Sequence, residues 1–393
     1  MLHRRFELEN NVWNMNRCAG CGMCVAACSR GRLQFEPGIQ HPTFKSKIKN
    51  VGLSVIEVDT CSFCDGMCAE SCPRLTEWQK NEYLSIVSAK TTRKTNFNPI
   101  NEIIFDILGM GLINELIDSI LIMDTNRWDG KPYARIVQSI DELYRVSGNQ
   151  GLWTPILSHL YKEKLEKGFK KIAIVGPPCV AQAIRSCSNS RIEGLSILRN
   201  VIALSIGTFC LGCYETTLLD DLMNKLRVSP SEILSIRRSP NNTHIEVKLS
   251  TGNVESIPIQ DEQQFIREGC ARCTDYLGEN ADISIGHAGS QEGYSTLIAW
   301  NLKGRNFINN CINSGLIEII DKVDQKTVNA ICFDKERRSQ TQTYDSLFIY
   351  SLESLTDENR LAEIKTRFKD LFTPQRNNSK FKSRGGCIEC NSC

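Results

Sequence analysis

Eight cysteines between residues 18 and 72 constrain this 393-residue chain more than any other feature. Cys18, Cys21, Cys24 and Cys28 stand in the run CAGCGMCVAAC, and Cys61, Cys64, Cys68 and Cys72 in CSFCDGMCAESCP. The first run is spaced C-x2-C-x2-C-x3-C and the second ends in Cys-Pro, the ligand spacing of two iron–sulfur clusters. Three thiolates on one tight loop reach three corners of a cubane, so the fourth must come from elsewhere. Where two cubanes share such a stretch, the last Cys of each run ligates the other cluster. That rule assigns Cys18, Cys21, Cys24 and Cys72 to one cluster, and Cys61, Cys64, Cys68 and Cys28 to the second.

Two simpler uses of these thiols fit less well. Structural zinc sites pair two short Cys hooks at a distance and do not run three or four cysteines through one loop. Disulfides need an oxidising compartment, and the opening MLHRRFELEN shows no apolar signal segment, which points to a cytoplasmic chain. The runs depart from the two-cluster ferredoxin pattern in two places. Asp65 to Met67 put three residues where two are usual, and Ser29 instead of Pro follows Cys28. Gly66 lies inside the longer loop and can take the dihedrals that the extra residue requires.

The length suits two or three domains with a sizeable core. With 47 Lys and Arg against 45 Asp and Glu, whole-chain charge suggests neither a nucleic-acid nor a membrane-surface partner. The most apolar stretch, Ile100 to Met123, carries Glu102, Asp106, Glu115 and Asp118 at helical intervals, which describes a buried amphipathic helix and no transmembrane segment. Residues 77–95 read as polar and mostly helical, residues 96–99 as a linker and residues 103–121 as a helix, with a short strand starting at Ile120. A strand from Ala134 leads into DELYRVSG with a turn at Gly148, and a helix is expected from Pro155 to Lys167.

Farther on, the strand Ile172 to Val175 runs into Gly176-Pro177-Pro178-Cys179 and then a helix. A second strand, Val201 to Ile206, ends at Gly207-Thr208-Phe209-Cys210. Strand, glycine turn and helix is how α/β proteins present a site at the carboxyl edge of a parallel sheet, so Cys179 and Cys210 can be neighbours, although either can equally be a buried core thiol. Residues 228–262 alternate apolar and polar with turns near Asn241 and Gly252, the pattern of an antiparallel β insertion. GCARC then supplies Cys270 and Cys273, Asp282 to Gly286 is a strand reaching another glycine turn, Thr296 to Trp300 a further strand, and Gly304 to Ser314 a helix. The tail ends in GGCIECNSC, where Cys387, Cys390 and Cys393 start another C-x2-C-x2-C. Cys187, Cys311 and Cys332 follow no pattern and read as structural.

Together GPPCVAQAIR, IGTFC, EGCARCTDYLGENADISIGHAGS and GYSTLIAWN resemble the beta subunits of coenzyme F420 hydrogenases and dehydrogenases, and their relatives in formate dehydrogenase, sulfite reductase and chlorophyll-reductase systems. The resemblance covers about residues 100–349. It implies an α/β fold in three parts: a two-cluster ferredoxin-like region over 1–95, an α/β flavin module over 96–350 containing the β insertion, and a charged tail over 351–393. It implies a third 4Fe-4S cluster on Cys179, Cys210, Cys270 and Cys273, with Cys213 able to replace Cys210. It implies FAD, with Gly148, Asn149, Gln150 and Thr154 facing it, and Gly176, Pro177, Pro178, Gly286, His287 and Gly289 supplying two turns. The double glycine that such proteins carry before their first helix is replaced here by residues 96–101, so the alternatives are a flavin-free polyferredoxin electron-transfer adaptor or a family reductase acting on another substrate. The expected activity is electron transfer between a hydride carrier, coenzyme F420 or similar, and the clusters by way of FAD. The expected partners are redox subunits of a larger complex or a ferredoxin.

Overall fold

Residues 119–125, 172–176, 202–208 and 283–286 are almost entirely buried, and such unbroken apolar runs belong in the middle of a parallel sheet covered on both faces. The computed structural model bears this out. It describes residues 4–353 apart from 46–47, 52–53, 58–60, 62–63, 94–97, 148–150, 161–167, 239–243, 259–262 and 321, with side chains described no farther than Ser339. Strands in chain order are β1 (Leu33–Gln34), β2 (Thr43–Phe44), β3 (Ile48–Val51), β4 (Ser54–Glu57), β5 (Ser85–Thr91), β6 (Ser119–Thr125), β7 (Pro132–Val137), β8 (Ile172–Gly176), β9 (Ile202–Thr208), β10 (Ile233–Arg238), β11 (His244–Leu249), β12 (Val254–Pro258), β13 (Ile283–Gly286), β14 (Ser295–Ala299) and β15 (Ile317–Ile320).

Eight of them form one mixed sheet in the order β15-β5-β14-β13-β9-β8-β6-β7. Its centre, β13-β9-β8-β6, is parallel, while β7 on one side and β14, β5 and β15 on the other run antiparallel to their neighbours. The carboxyl ends Thr125, Gly176, Thr208 and Gly286 therefore lie along one edge. The two faces follow from the two-residue period of a strand. On β8, Ala173 and Val175 face a core with Ile103, Ile107, Leu108 and Phe307, from the helices Pro99–Ile113 and Leu302–Asn313. Ile172 and Ile174 face the other core, with Val180, Ala183 and Ile184 of the helix Pro178–Asn189. Cys21, Met23, Ala26 and Met67 join that second core, which seats the amino-terminal cysteine region on the sheet's helical layer.

Several expectations hold. The strands ending at Gly176, Thr208 and Gly286 are present, and β10, β11 and β12 form a separate antiparallel sheet where the insertion was read. Other expectations fail for physical reasons. Residues 77–93 are not helical: β5 lies between β14 and β15, because Ile86, Val87 and Ala89 can pair and pack on both sides. The helix expected over 103–121 ends at Ile113, and Glu115 at φ 53 turns the chain into β6. Of the helix expected from Pro155 to Lys167, the structure describes a 3-10 turn, Ile156–His159, leading into a helical Leu160, and residues 161–167 lie outside the described residues. Met1–Ser339 make one compact unit and residues 340–393 a second, of which the backbone is described only through the end of the helix Gln325–Glu353. Cys387, Cys390 and Cys393 lie outside the described residues, and among the described residues no helix is long and apolar enough to cross a membrane.

Candidate metal centres

Each amino-terminal cysteine run wraps a one-turn helix, Met23–Ala26 and Met67–Glu70, and each helix is entered through a left-handed glycine, Gly22 at φ 88 and Gly66 at φ 71. A side chain at either position would strain the turn that presents the preceding thiols. Cys24 and Cys72 are buried in one apolar cluster with Leu8, Val12, Trp13 and Leu33, against which Cys18, Cys28 and Cys68 also pack. The two runs are therefore folded together as one unit.

The thiols of the two runs are neighbours across runs as well as within them. Cys24 is acted on by Cys21, Cys18 and Cys72, and Cys72 by Cys21 and Cys18. A small cavity is lined by these four, Cys18, Cys21, Cys24 and Cys72, with Trp13 and Arg74 at its walls. Cys68 is acted on by Cys28, Cys64 and Cys61. Thus Cys72 falls with the first run and Cys28 with the second. Burial pushes the Cys21 thiol up to about 11 and Cys68 and Cys72 up to about 12, so these sulfurs stay protonated until a metal of high charge takes the proton's place.

A third group gathers at the carboxyl edge of the sheet. Cys179 is the second residue of the helix Pro178–Asn189, Cys210 follows β9, Cys270 lies in the short helix Glu268–Ala271, and Cys273 comes just after it. Cys270 and Cys210 both act on Cys179. Cys273 joins the group through Arg74, which hydrogen-bonds it and also senses Cys179 and Cys270. Cys213, read from the sequence only as a substitute, is a fifth member: its thiol bonds both Cys210 and Cys270, which lowers theirs and raises its own. None of the described cysteines is in a disulfide. Among the described residues no group of three or more His, Cys, Asp or Glu side chains is placed so that it could hold a single metal ion.

The three groups form a series. Cys68 acts on Cys24, linking the second group to the first, while Cys21 acts on Cys179 and Cys270 on Cys18, linking the first to the third. The backbone closes the same gap. Cys179 Sγ lies 3.9 Å from Ala19 O, and Gly269 packs so tightly on Cys18 that a Cβ there would stand 2.0 Å from the Cys18 oxygen. Cations that the sequence reading did not single out surround this junction. Arg74, directly after Cys72-Pro73, donates to Gly269 O at 3.2 Å. Arg267 is fully buried, and Lys335 donates to the Cys210 and Asp275 carbonyls, each at 2.6 Å. Their one sequence signal is proximity: Arg74 lies two residues after Cys72 and Arg267 three before Cys270. At the first and third groups, thiols largely withdrawn from water and faced by cations with buried unpartnered nitrogens at Arg74 Nε and Arg267 Nη1 have the chemistry that a polyanionic iron–sulfur cluster needs, whereas Cys28, Cys61, Cys64 and Cys68 are only half-buried.

The residues expected to face FAD divide into three sets. Gly148, Asn149 and Gln150 lie outside the described residues. The turns are occupied by protein: a Cβ at Gly286 would stand 2.1 Å from the Phe209 ring, one at Gly289 2.7 Å from Val328, and Gly176, Pro177 and Pro178 are buried. His287 is exposed on its turn and Thr154 is half-buried. Beside Ser147, however, at the carboxyl end of β6, there is an open polar cavity of about 480 Å³ bordered by Asp124, Thr125, Tyr133, Arg135 and Arg145. That volume is in the range of cofactor pockets, and β6 adjoins β8, whose end leads to Cys179. The turns at Gly286 and Gly289 are filled by protein side chains and leave no such space.

Comparison with known proteins agrees with this architecture. Residues 169–326 match the family model described as the C terminus of the coenzyme F420 hydrogenase/dehydrogenase beta subunit. The chain is similar to an uncharacterised protein of Methanocaldococcus jannaschii, 28% identical over 353 residues covering 84% of this chain and 97% of that protein. It is also similar to one of the subunits of the F(420)H(2) dehydrogenase of Methanosarcina mazei, 26% identical over 71% of this chain and 78% of that protein. Among solved structures, a chain of the F420-reducing nickel–iron hydrogenase complex from Methanosarcina barkeri shares the fold. Its TM-score is 0.62 at 20% identity, covering 68% of this chain and 93% of that one.

Proposed function

Because residues 169–326 belong to the family of coenzyme F420 hydrogenase/dehydrogenase beta subunits, we propose that this chain is an electron-transferring redox subunit. It exchanges electrons between a hydride carrier, coenzyme F420 or a chemically similar one, and a partner subunit or ferredoxin through three 4Fe-4S clusters. The single observation that supports this most is the continuous series of three four-thiol groups. Cys28, Cys61, Cys64 and Cys68 hold one cluster, Cys18, Cys21, Cys24 and Cys72 the next, and Cys179, Cys210, Cys270 and Cys273 the one at the sheet edge.

FAD bound in the cavity at the end of β6 supplies the conversion between a two-electron hydride and single electrons. The protein holds the reacting rings at the edge of the sheet, keeps water from the thiols by the burial described above, and needs no acid or base of its own for the hydride step. Asp124 and Arg135, joined at 2.7 Å, fix one wall of the cavity. The filled turns at Gly286 and Gly289 favour a second reading, a flavin-free carrier built on the same clusters. Anaerobic purification and reconstitution separate the two. The first reading requires about twelve irons per chain, flavin absorbance, and bleaching of both by reduced coenzyme F420 but not by NADH. Full iron without flavin supports the second, and an iron content below one cluster refutes both.

A further inference from the structure

The junction between the first and third cysteine groups holds two arginines whose charge no carboxylate fully neutralises. Arg267 has 0% of its side chain exposed; its Nε donates to Glu215 at 2.7 Å, Nη2 to the Gln40 carbonyl, and Nη1 is buried with no partner. Its guanidinium lies 3.9 Å from the Trp153 ring centre, flat against an aromatic face that keeps water away. Nη1 points at Gly20, between Ala19 and Cys21, where a Cβ would stand 1.8 Å from it. Arg74 is half-buried: its Nη2 bonds Gly269 O, its side chain bonds Cys273, and its Nε is buried with no partner. Burying a guanidinium that is only partly paired is costly. Two of them at one seam are unfavourable for the chain alone and need a negative counterpart there.

We propose that Arg74 and Arg267 are a shared cationic bridge that raises the reduction potentials of the Cys18/Cys21/Cys24/Cys72 and Cys179/Cys210/Cys270/Cys273 clusters together, making this pair the electron sink of the series. The inference rests on the cluster reading above. A 4Fe-4S core on four thiolates carries a charge of −2, and the one electron it accepts takes it to −3, so a fixed buried cation stabilises the reduced form more than the oxidised one. In a dry interior this effect is far larger than at a surface. Arg74 reaches both sites, since it acts on Cys18, Cys21 and Cys72 as well as on Cys179, Cys270 and Cys273. Arg267 acts on Cys18 and Cys270. Lys335 acts on Cys210, Cys270 and Cys273 at the sheet-edge site, beside Asp275. The charges acting on Cys68 are those of its fellow cysteines.

The test is an EPR-monitored titration with dithionite as the electron donor, on reconstituted wild type and on Arg267→Gln, Arg74→Gln, Lys335→Met and the charge-keeping Arg267→Lys and Arg74→Lys. Each Gln variant should lower the reduction equilibrium constant of the two junction clusters at least tenfold, about 59 mV for a one-electron couple. Lys335→Met should move only the sheet-edge cluster, and the Cys28/Cys61/Cys64/Cys68 cluster should stay put in all of them. The Lys variants should keep wild-type potentials. Unchanged potentials in the Gln variants overturn the proposal, as does an equal shift of all three clusters. If a Gln variant loses its clusters the Lys variants decide, and a fall in either overturns it. Wild type without iron refutes the cluster reading instead.

Discussion

Gly269 makes the seating of the amino-terminal cysteine region on the sheet testable by one methyl group. Ala is the better helix former by about 1 kcal/mol, and Gly269 lies within the helix Glu268–Ala271, so local propensity predicts that Gly269→Ala stabilises. The contacts predict the opposite. The added Cβ would meet the Cys18 oxygen at 2.0 Å and its carbonyl carbon at 2.6 Å, backbone atoms that cannot rotate away. Relieving the clash requires the Cys18 loop to retreat by about 1 Å, at the upper end of the roughly 1–3 kcal/mol that overpacking costs. The clash wins, leaving a net loss of about 2 kcal/mol. Guanidinium unfolding of the anaerobic protein should show a lower midpoint, and the retreat should lower the iron content as Cys18 parts from Cys21, Cys24 and Cys72. A variant as stable as wild type, with its iron complete, would show that Cys18 does not rest on this helix.

Other outcomes follow from the same contacts. Cys72→Ser should remove the cluster of the first run and Cys28→Ser that of the second, about four irons each; iron analysis and EPR showing each substitution acting on its own run would refute the crossing. Gly286→Ala should destabilise by pushing on the Phe209 ring, and adding Phe209→Ala should recover part of that loss in a thermal melt; no recovery would mean that something other than Phe209 needs the space. For Asp124, burial raises the pKa, but Arg135, the amides of Ser147 and Thr125 and the Tyr133 hydroxyl outweigh it and leave the carboxyl below its ordinary value. A depressed folded pKa contributes stability that is present above the unfolded value of about 3.9 and is lost as pH falls through the folded one. Asp124→Asn should therefore cost about 1–3 kcal/mol near neutral pH and flatten the stability profile below about pH 4; a profile as steep as wild type's would refute this.

How much of the molecule could be read in advance depends on whether its chemistry is local. Eight cysteines at fixed spacing announce cluster loops because geometry leaves a thiol run few other uses. That Cys72 lies near the first run and Cys28 near the second was legible for the same reason: a loop that supplies three corners must borrow the fourth. The strands at β8, β9 and β13 were legible as apolar runs closed by glycine or a small polar turn. The strand β5 was not, because its seven residues are polar enough to pass for a helix, and only pairing with β14 and β15, more than 200 residues away in sequence, gives it a place. The turns at Gly286 and Gly289 misled in a different way. A glycine records that something comes close to the backbone without saying what, and here Phe209 and Val328 come close.

The cations show the limit most clearly. Arg74 and Arg267 are two among 47 basic residues. Their closeness in sequence to Cys72 and Cys270 does not by itself mark them as the side chains that the fold brings to the junction of two cysteine groups. Yet the order of the groups in space gives them their importance. In sequence the second cysteine run lies between the first and Cys179, whereas in the structure the first run lies between the other two, joined through Cys24 to Cys68 and through Cys21 to Cys179. An electron moving between the sheet edge and the Cys61 loop must therefore pass the first group, and the arginines sit where that passage begins. Lowering the midpoints of the two junction clusters together should slow transfer in both directions, whereas loss of the Cys28 group should spare reduction of the other two. Freeze-quench EPR on Arg74→Gln and Cys28→Ser would compare these two effects. Faster reduction of the Cys28/Cys61/Cys64/Cys68 cluster than of the Cys18/Cys21/Cys24/Cys72 cluster, with electrons entering from the hydride carrier, would contradict the serial order.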